Sequence, residues 1–129
     1  MLEPVRTIKL FQKPPSPKTF LTGEVIFREG ERGDVIYGII SGEVEILVDG
    51  KVVETILQGD IFGEGAIVHL DRQRESTALA KTDSLLAFLD REHFMFAVQQ
   101  TPMFALEVMK SYSDRLRRLR HILSGTRQQ

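Results

Sequence analysis

Between Phe62 and Ala80 the chain reads FGEGAIVHLDRQRESTALA, and this stretch concentrates the residue types that hold a small anion. Glycines at 63 and 65 let the backbone approach a ligand closely. Gly65-Ala66-Ile67-Val68 can form a short helical turn, whose unpaired N–H groups attract phosphate. Ten residues after Glu64 comes Arg74. Its planar, many-donor fork suits a bidentate grip on phosphate, and the acceptor-only carboxylate of Glu64 suits a ribose hydroxyl. Together they describe a nucleotide with few charges.

Other chemistries find less support. Histidines stand at 69, 93 and 121, without the His-x-His spacing of a metal-binding jelly-roll enzyme, so neither a metal nor a cofactor is expected. The absence of cysteine excludes disulfides, thiolate zinc sites and cysteine-ligated clusters. No Ser/His/Asp set or pair of acids stands out, and no enzyme is expected. Arg115, Arg117, Arg118 and Arg120 with Lys110 make the last helix basic, most simply a solvated face.

The anion-holding stretch needs a scaffold to position it. From Thr19 to Gly59 the chain offers short β-branched runs at Phe20-Leu21, Val25–Phe27, Ile36–Ile40, Val44–Val48 and Lys51–Ile56. Glycine-bearing turns separate them, and Asp49-Gly50 predicts a two-residue hairpin. Another strand is predicted at Leu85–Leu89, with Asp90 capping a helix to about Gln99. Short strands with no intervening helix suggest an antiparallel sandwich or jelly roll. Pro102 opens a longer helix to about Leu123, in which Met109, Tyr112, Leu116, Leu119 and Leu123 alternate by three and four residues. That stripe either joins two subunits or packs on the chain's own strands. At the other end, Ile8-Leu10-Phe11 marks a short docking segment, and Pro14-Pro15-Ser16-Pro17 a stiff linker. The expected division is an N-terminal segment over 1–18, a β domain over 19–101 and a C-terminal helix with tail over 102–129.

Gly63-Glu64, followed by a variable turn and Arg74-Glu75-Ser76-Thr77-Ala78-Leu79-Ala80, resembles the phosphate-binding cassette of cyclic-nucleotide-binding domains, as in catabolite activator proteins and kinase regulatory subunits. Phe27-Arg28-Glu29-Gly30, Gly33-Asp34, Ser41-Gly42-Glu43 and Gly59-Asp60 are similar to that family's framework of strands and turns. The resemblance implies a mainly β fold: an antiparallel jelly-roll (double-stranded β-helix) barrel with a short N-terminal helical segment, a short helix and a long C-terminal helix. It implies that Glu64 holds the ribose 2′-OH and Arg74 the cyclic phosphate of cAMP or cGMP. The N–H groups near Gly65, Ala66 and Glu75 would complete the cradle, with Ser76 a further contact. Leu119 and Arg120 fall where the family's helix closes over the base.

Glu75 departs from the family, which usually has a small residue after the arginine; a carboxylate there repels phosphate. Either its side chain turns to solvent, or it pairs with Arg74 or Arg72 and takes the phosphate's place. The expected function is therefore a regulatory domain that binds cyclic nucleotide and relays binding through a dimerising C-terminal helix, either to a separate protein partner or as the sensor piece of something longer. A nucleotide-free scaffold of the same fold is the alternative, and a cupin-type metal enzyme the third. The resembled regulators continue into a helix-turn-helix, whereas six residues follow Leu123 here, so direct sequence-specific DNA binding is not expected. A net charge of −1, no long apolar run and no secretory-type N-terminus point to a cytoplasmic protein without membrane contact.

Overall fold

The computed structural model describes residues 4–11 and 17–127. The expected linker falls, except for Pro17, outside the described residues. The order is α1 (Pro4–Phe11), β1 (Lys18–Phe20), β2 (Val25–Phe27), β3 (Val35–Ser41), β4 (Val44–Val48), β5 (Lys51–Ile56), β6 (Ile61–Phe62), α2 (Gly65–Val68), β7 (Thr77–Ala80), β8 (Ser84–Asp90), α3 (Arg91–Gln100) and α4 (Met103–Arg127). Local chemistry sets several of these boundaries. Asp49 and Gly50 both take positive φ, 51° and 76°, and close the β4–β5 hairpin. The Asp90 carboxylate accepts from the His93 N–H at 2.8 Å and caps α3.

The strands form two antiparallel four-stranded sheets, β1-β8-β3-β6 and β2-β7-β4-β5. Phe20, Tyr37, Ile39, Phe62 and Leu86 of the first meet Phe27, Val44, Ile46, Ile56, Ala78 and Ala80 of the second in one buried core. The opposite face of the first sheet, through Ile36, Ile61, Ala87 and Leu89, packs under Val5 and Ile8 of α1, Ala97 of α3 and Phe104 of α4. Gly38 lets α1 approach this closely, since a Cβ there would lie 2.9 Å from Val5 Cγ2. Among the described residues no helix is long and apolar enough to cross a membrane.

The expected closed jelly-roll barrel does not form. No strand ladder joins the two sheets among the described residues, and β1, β2 and β6 are only two or three residues long. Strands so short have too few backbone groups to extend pairing from sheet to sheet. The mainly β assignment is corrected as well. Among the described residues helices contain more residues than strands, because α1, α2 and α3 add to a C-terminal helix that runs to Arg127, and the fold is mixed α/β.

Candidate functional site

The loop ahead of β3 and the segment after α2 are stitched together by their backbones. Gly30 N–H donates to Arg74 O at 2.8 Å, Arg74 N–H to Glu31 O at 2.7 Å and Gly33 N–H to Arg72 O at 2.8 Å. This pairing turns the Arg74 side chain inward. Its guanidinium lies 3.9 Å from the centroid of the Phe27 ring, and its two terminal nitrogens donate to the carbonyls of Gly63 and Val35, each at 2.9 Å. Gly63 reaches its position with φ 83°, which favours glycine.

Arg74 is 6% exposed, forms no ion pair among the described residues, and its Nε has no hydrogen-bond partner. Burial lowers the guanidinium's pKa, while Tyr37, Glu64, Asp34 and Glu31 act in the opposite direction. A desolvated cation with an unspent donor is an electrostatic cost that an anion would relieve. Gly33 is essential to this arrangement, because a Cβ there would fall 2.2 Å from Arg74 Nε. Gly33→Ala is expected to expel the guanidinium and weaken any anion held by Arg74 by about tenfold or more, the scale of one charge-assisted hydrogen bond. Unchanged anion affinity in a titration of folded Gly33→Ala would show that this seat has no bearing on binding.

Gly63, Glu64, Gly65, Arg74, Glu75 and Ser76 surround one cavity of about 120 Å³, together with Phe27, Gln73 and Arg115. Ala66 is buried within α2 behind it. A larger cavity, about 370 Å³, shares Phe27 and Arg74 with it and is lined by Lys18, Arg32 and Tyr37 among others. The smaller one carries the Glu64–Arg74 chemistry and is taken as the candidate site. Glu75 turns to solvent, its side chain 79% exposed, and its carboxylate lies 3.6 Å from His69 rather than on Arg74 or Arg72. Arg72 instead sits 4.0 Å from Asp34. The Thr77 hydroxyl accepts from the Glu29 N–H at 3.0 Å and braces the loop.

Helix α4 closes one side of the cavity with residues that the sequence reading assigned elsewhere. Tyr112 donates its phenol to Glu64 at 2.7 Å. Burial, followed by the Glu64 charge, raises the phenol's pKa, so it stays a donor. Arg115, three residues on, is buried with its Nε 2.7 Å and its Nη2 3.0 Å from the two carboxylate oxygens of Glu54. Its Nη1 donates to Ile61 O, and its guanidinium packs 4.5 Å from the Tyr112 ring centroid. Burial opposes the Arg115 charge, but Glu54 and Tyr112 outweigh it and the pKa rises. The basic run of α4 is thus no uniform solvated face, since Arg118 also pairs with Asp60 at 3.0 Å. One signal was available, because Arg115 falls three residues after Tyr112 and four before Leu119, on the same helical stripe.

Leu119 is half-buried and Arg120 exposed; neither lines the cassette cavity, and Arg120 borders a shallow one with Arg117, His121 and Ser124. Among the described residues no group of three or more His, Cys, Asp or Glu is placed to hold a metal.

Residues 17–101 match the family model "Cyclic nucleotide-binding domain". A cGMP-dependent protein kinase of Plasmodium berghei is 33% identical over 95 residues, covering 74% of this chain and 11% of the kinase. A cAMP-dependent protein kinase regulatory subunit of Schizosaccharomyces pombe is 40% identical over 76 residues, 58% of this chain and 18% of the subunit. The chain therefore spans a small part of the length of these relatives. The fold is also that of the Thermus thermophilus catabolite activator protein, with a TM-score of 0.71 and 24% identity over 92% of this chain and 56% of that one. With the family model covering most of its length, the chain belongs to the cyclic nucleotide-binding domain family.

Proposed function

We propose that this domain binds cAMP or cGMP in the cavity between α2, Arg74 and α4, and reports binding through α4. The observation that carries this reading is Arg74, a buried cation without an ion pair among the described residues, one donor unspent, on the wall of that cavity. In it Arg74 and the N–H groups near Gly65, Ala66 and Glu75 hold the cyclic phosphate, Ser76 adds a contact, and Glu64 takes the ribose hydroxyl. The names of the two kinase relatives support cAMP and cGMP as the ligands to try.

The cavity supports the relay. At about 120 Å³ it is well below the roughly 300 Å³ at which small-molecule pockets begin, so a whole nucleotide requires the wall to give. Arg115 forms the α4 side of that wall, and Tyr112 holds Glu64, another of its lining residues. A ligand that takes Glu64 competes with Tyr112 and favours an arrangement in which α4 is displaced, which is a population shift. Within this reading residues 19–101 sense and residues 102–129 transmit. Met109, Leu116 and Leu123, exposed at seven-residue spacing on α4, support a seam between two copies. Tyr112, by contrast, is taken up by its own domain. The role proposed is regulatory rather than catalytic, with α4 as the element that passes binding on to a protein partner or to a further part of the same protein. The scaffold alternative had Glu75 filling the pocket, and its outward position counts against that.

Calorimetric titration with cAMP and cGMP tests the proposal. Dissociation constants of about 1 μM or tighter, near −8 kcal/mol, are expected for at least one of them. Absence of heat and of any thermal shift with both would overturn it.

A further inference from the structure

Glu75 raises a question that the site does not answer by itself, namely how a phosphate site accommodates a carboxylate one residue from its arginine. The neighbouring charges point elsewhere. Arg74 directs its terminal nitrogens to the carbonyls of Gly63 and Val35 and keeps Nε for the ligand, Arg115 binds Glu54, and Glu64 receives Tyr112. Arg72 faces Asp34, Asp71 accepts from the Gln73 N–H, and Arg91 of α3 donates to Ile67 O at the end of α2. Among the described residues the remaining partner is His69, which ends α2. Its Nε2 lies 3.6 Å from the Glu75 carboxylate, and its Cδ2 lies 3.3 Å from where a Cβ on Gly65 would stand. The ring therefore rests on the cassette backbone at Gly65 and reaches across to Glu75.

We infer that His69 is a further specificity-determining residue of the phosphate site: as the imidazolium it neutralises Glu75, so that capture of a cyclic phosphate is coupled to proton uptake at His69. The inference rests on the cyclic-nucleotide reading above. Physically, neutral His69 leaves the outward Glu75 charge uncompensated one residue from Arg74, whereas the protonated ring offsets it and adds a cation beside Gly65. Imidazoles change charge between about pH 5 and about pH 8, whereas a cyclic phosphodiester keeps its single negative charge throughout, so the dependence belongs to the protein. By linkage, a ligand that favours the protonated ring binds more weakly as pH rises and takes up protons as it binds.

The test is the affinity for cAMP and for cGMP from about pH 5.5 to about pH 8 in the unaltered chain, His69→Gln and Glu75→Gln. Both side chains are substantially exposed, so both variants should fold, and thermal unfolding checks this. The unaltered chain is expected to lose about fivefold in affinity across the range, the size of one charge interaction near 4 Å in a solvated setting. His69→Gln should be flat at the weak limit, and Glu75→Gln flat near the tight one. Tight binding with no pH slope, or a slope that survives in His69→Gln, would overturn the role of His69 and leave the nucleotide reading intact. Failure of either nucleotide to bind at any pH would overturn both.

Discussion

Arg74→Ala is expected to reduce affinity for cyclic nucleotide by at least about a hundredfold, close to 3 kcal/mol, the combined size of two charge-assisted hydrogen bonds. The effect should exceed that of any other single substitution in the cavity, because no second cation with a free donor adjoins it among the described residues; Arg115 is committed to Glu54 and Ile61 O. Arg74 is also part of the fold, and its loss leaves the carbonyls of Gly63 and Val35 without their donors. A stability cost of about 1–3 kcal/mol follows from that, tempered by the end of the guanidinium's own desolvation. The two effects separate experimentally. Arg74→Lys keeps a cation but cannot reach both carbonyls and the ligand with one fork, so it should bind measurably yet poorly. Titration at a temperature where both variants are folded decides the matter. Affinity of Arg74→Ala within threefold of the unaltered chain would remove Arg74 from the site.

Glu54→Leu is expected to be the most destabilising conservative-volume change in the domain, by about 3–5 kcal/mol, because it leaves the Arg115 guanidinium buried without its counterion. The two side chains are only 9% and 15% exposed, so solvent does little to soften the loss. In a domain of this size the midpoint of thermal unfolding should fall by roughly 10 °C or more. Glu54→Leu combined with Arg115→Met should recover most of the loss, since replacing both charges by apolar groups removes the uncompensated ion. The pair also joins β5 to α4, so the double variant should uncouple the helix from the cavity even where stability returns. Denaturant unfolding of the two singles and the double closes the cycle. A coupling energy near zero would mean that the pair does not tie α4 to the sheets.

These expectations concern contacts between residues far apart in the chain, whereas the sequence was most informative where the physics is local. Asp49-Gly50 announced its hairpin because both residues tolerate positive φ. Asp90 announced α3 through an N-cap that spans three residues, and Gly65–Val68 formed the short helix that the glycines allowed. The spacing of Gly63, Glu64, Arg74 and Ser76 was also legible, and these residues do border one cavity.

What the sequence alone determined, then, was the turns, the short strands, the caps and the chemical types gathered after β6. Whether the sheets closed into a barrel depended on hydrogen bonds between strands remote in sequence, and only the tertiary structure settled it as two sheets under helices. The same holds for Tyr112 and Arg115. Along α4 they read as a seam residue and a solvated charge; Tyr112 came to hold a wall residue of the cavity and Arg115 to line it because Glu64 and Glu54, 48 and 61 residues away, meet them there. A side chain's role follows from the field and the partners around it, and those are fixed by packing rather than by its neighbours in the chain.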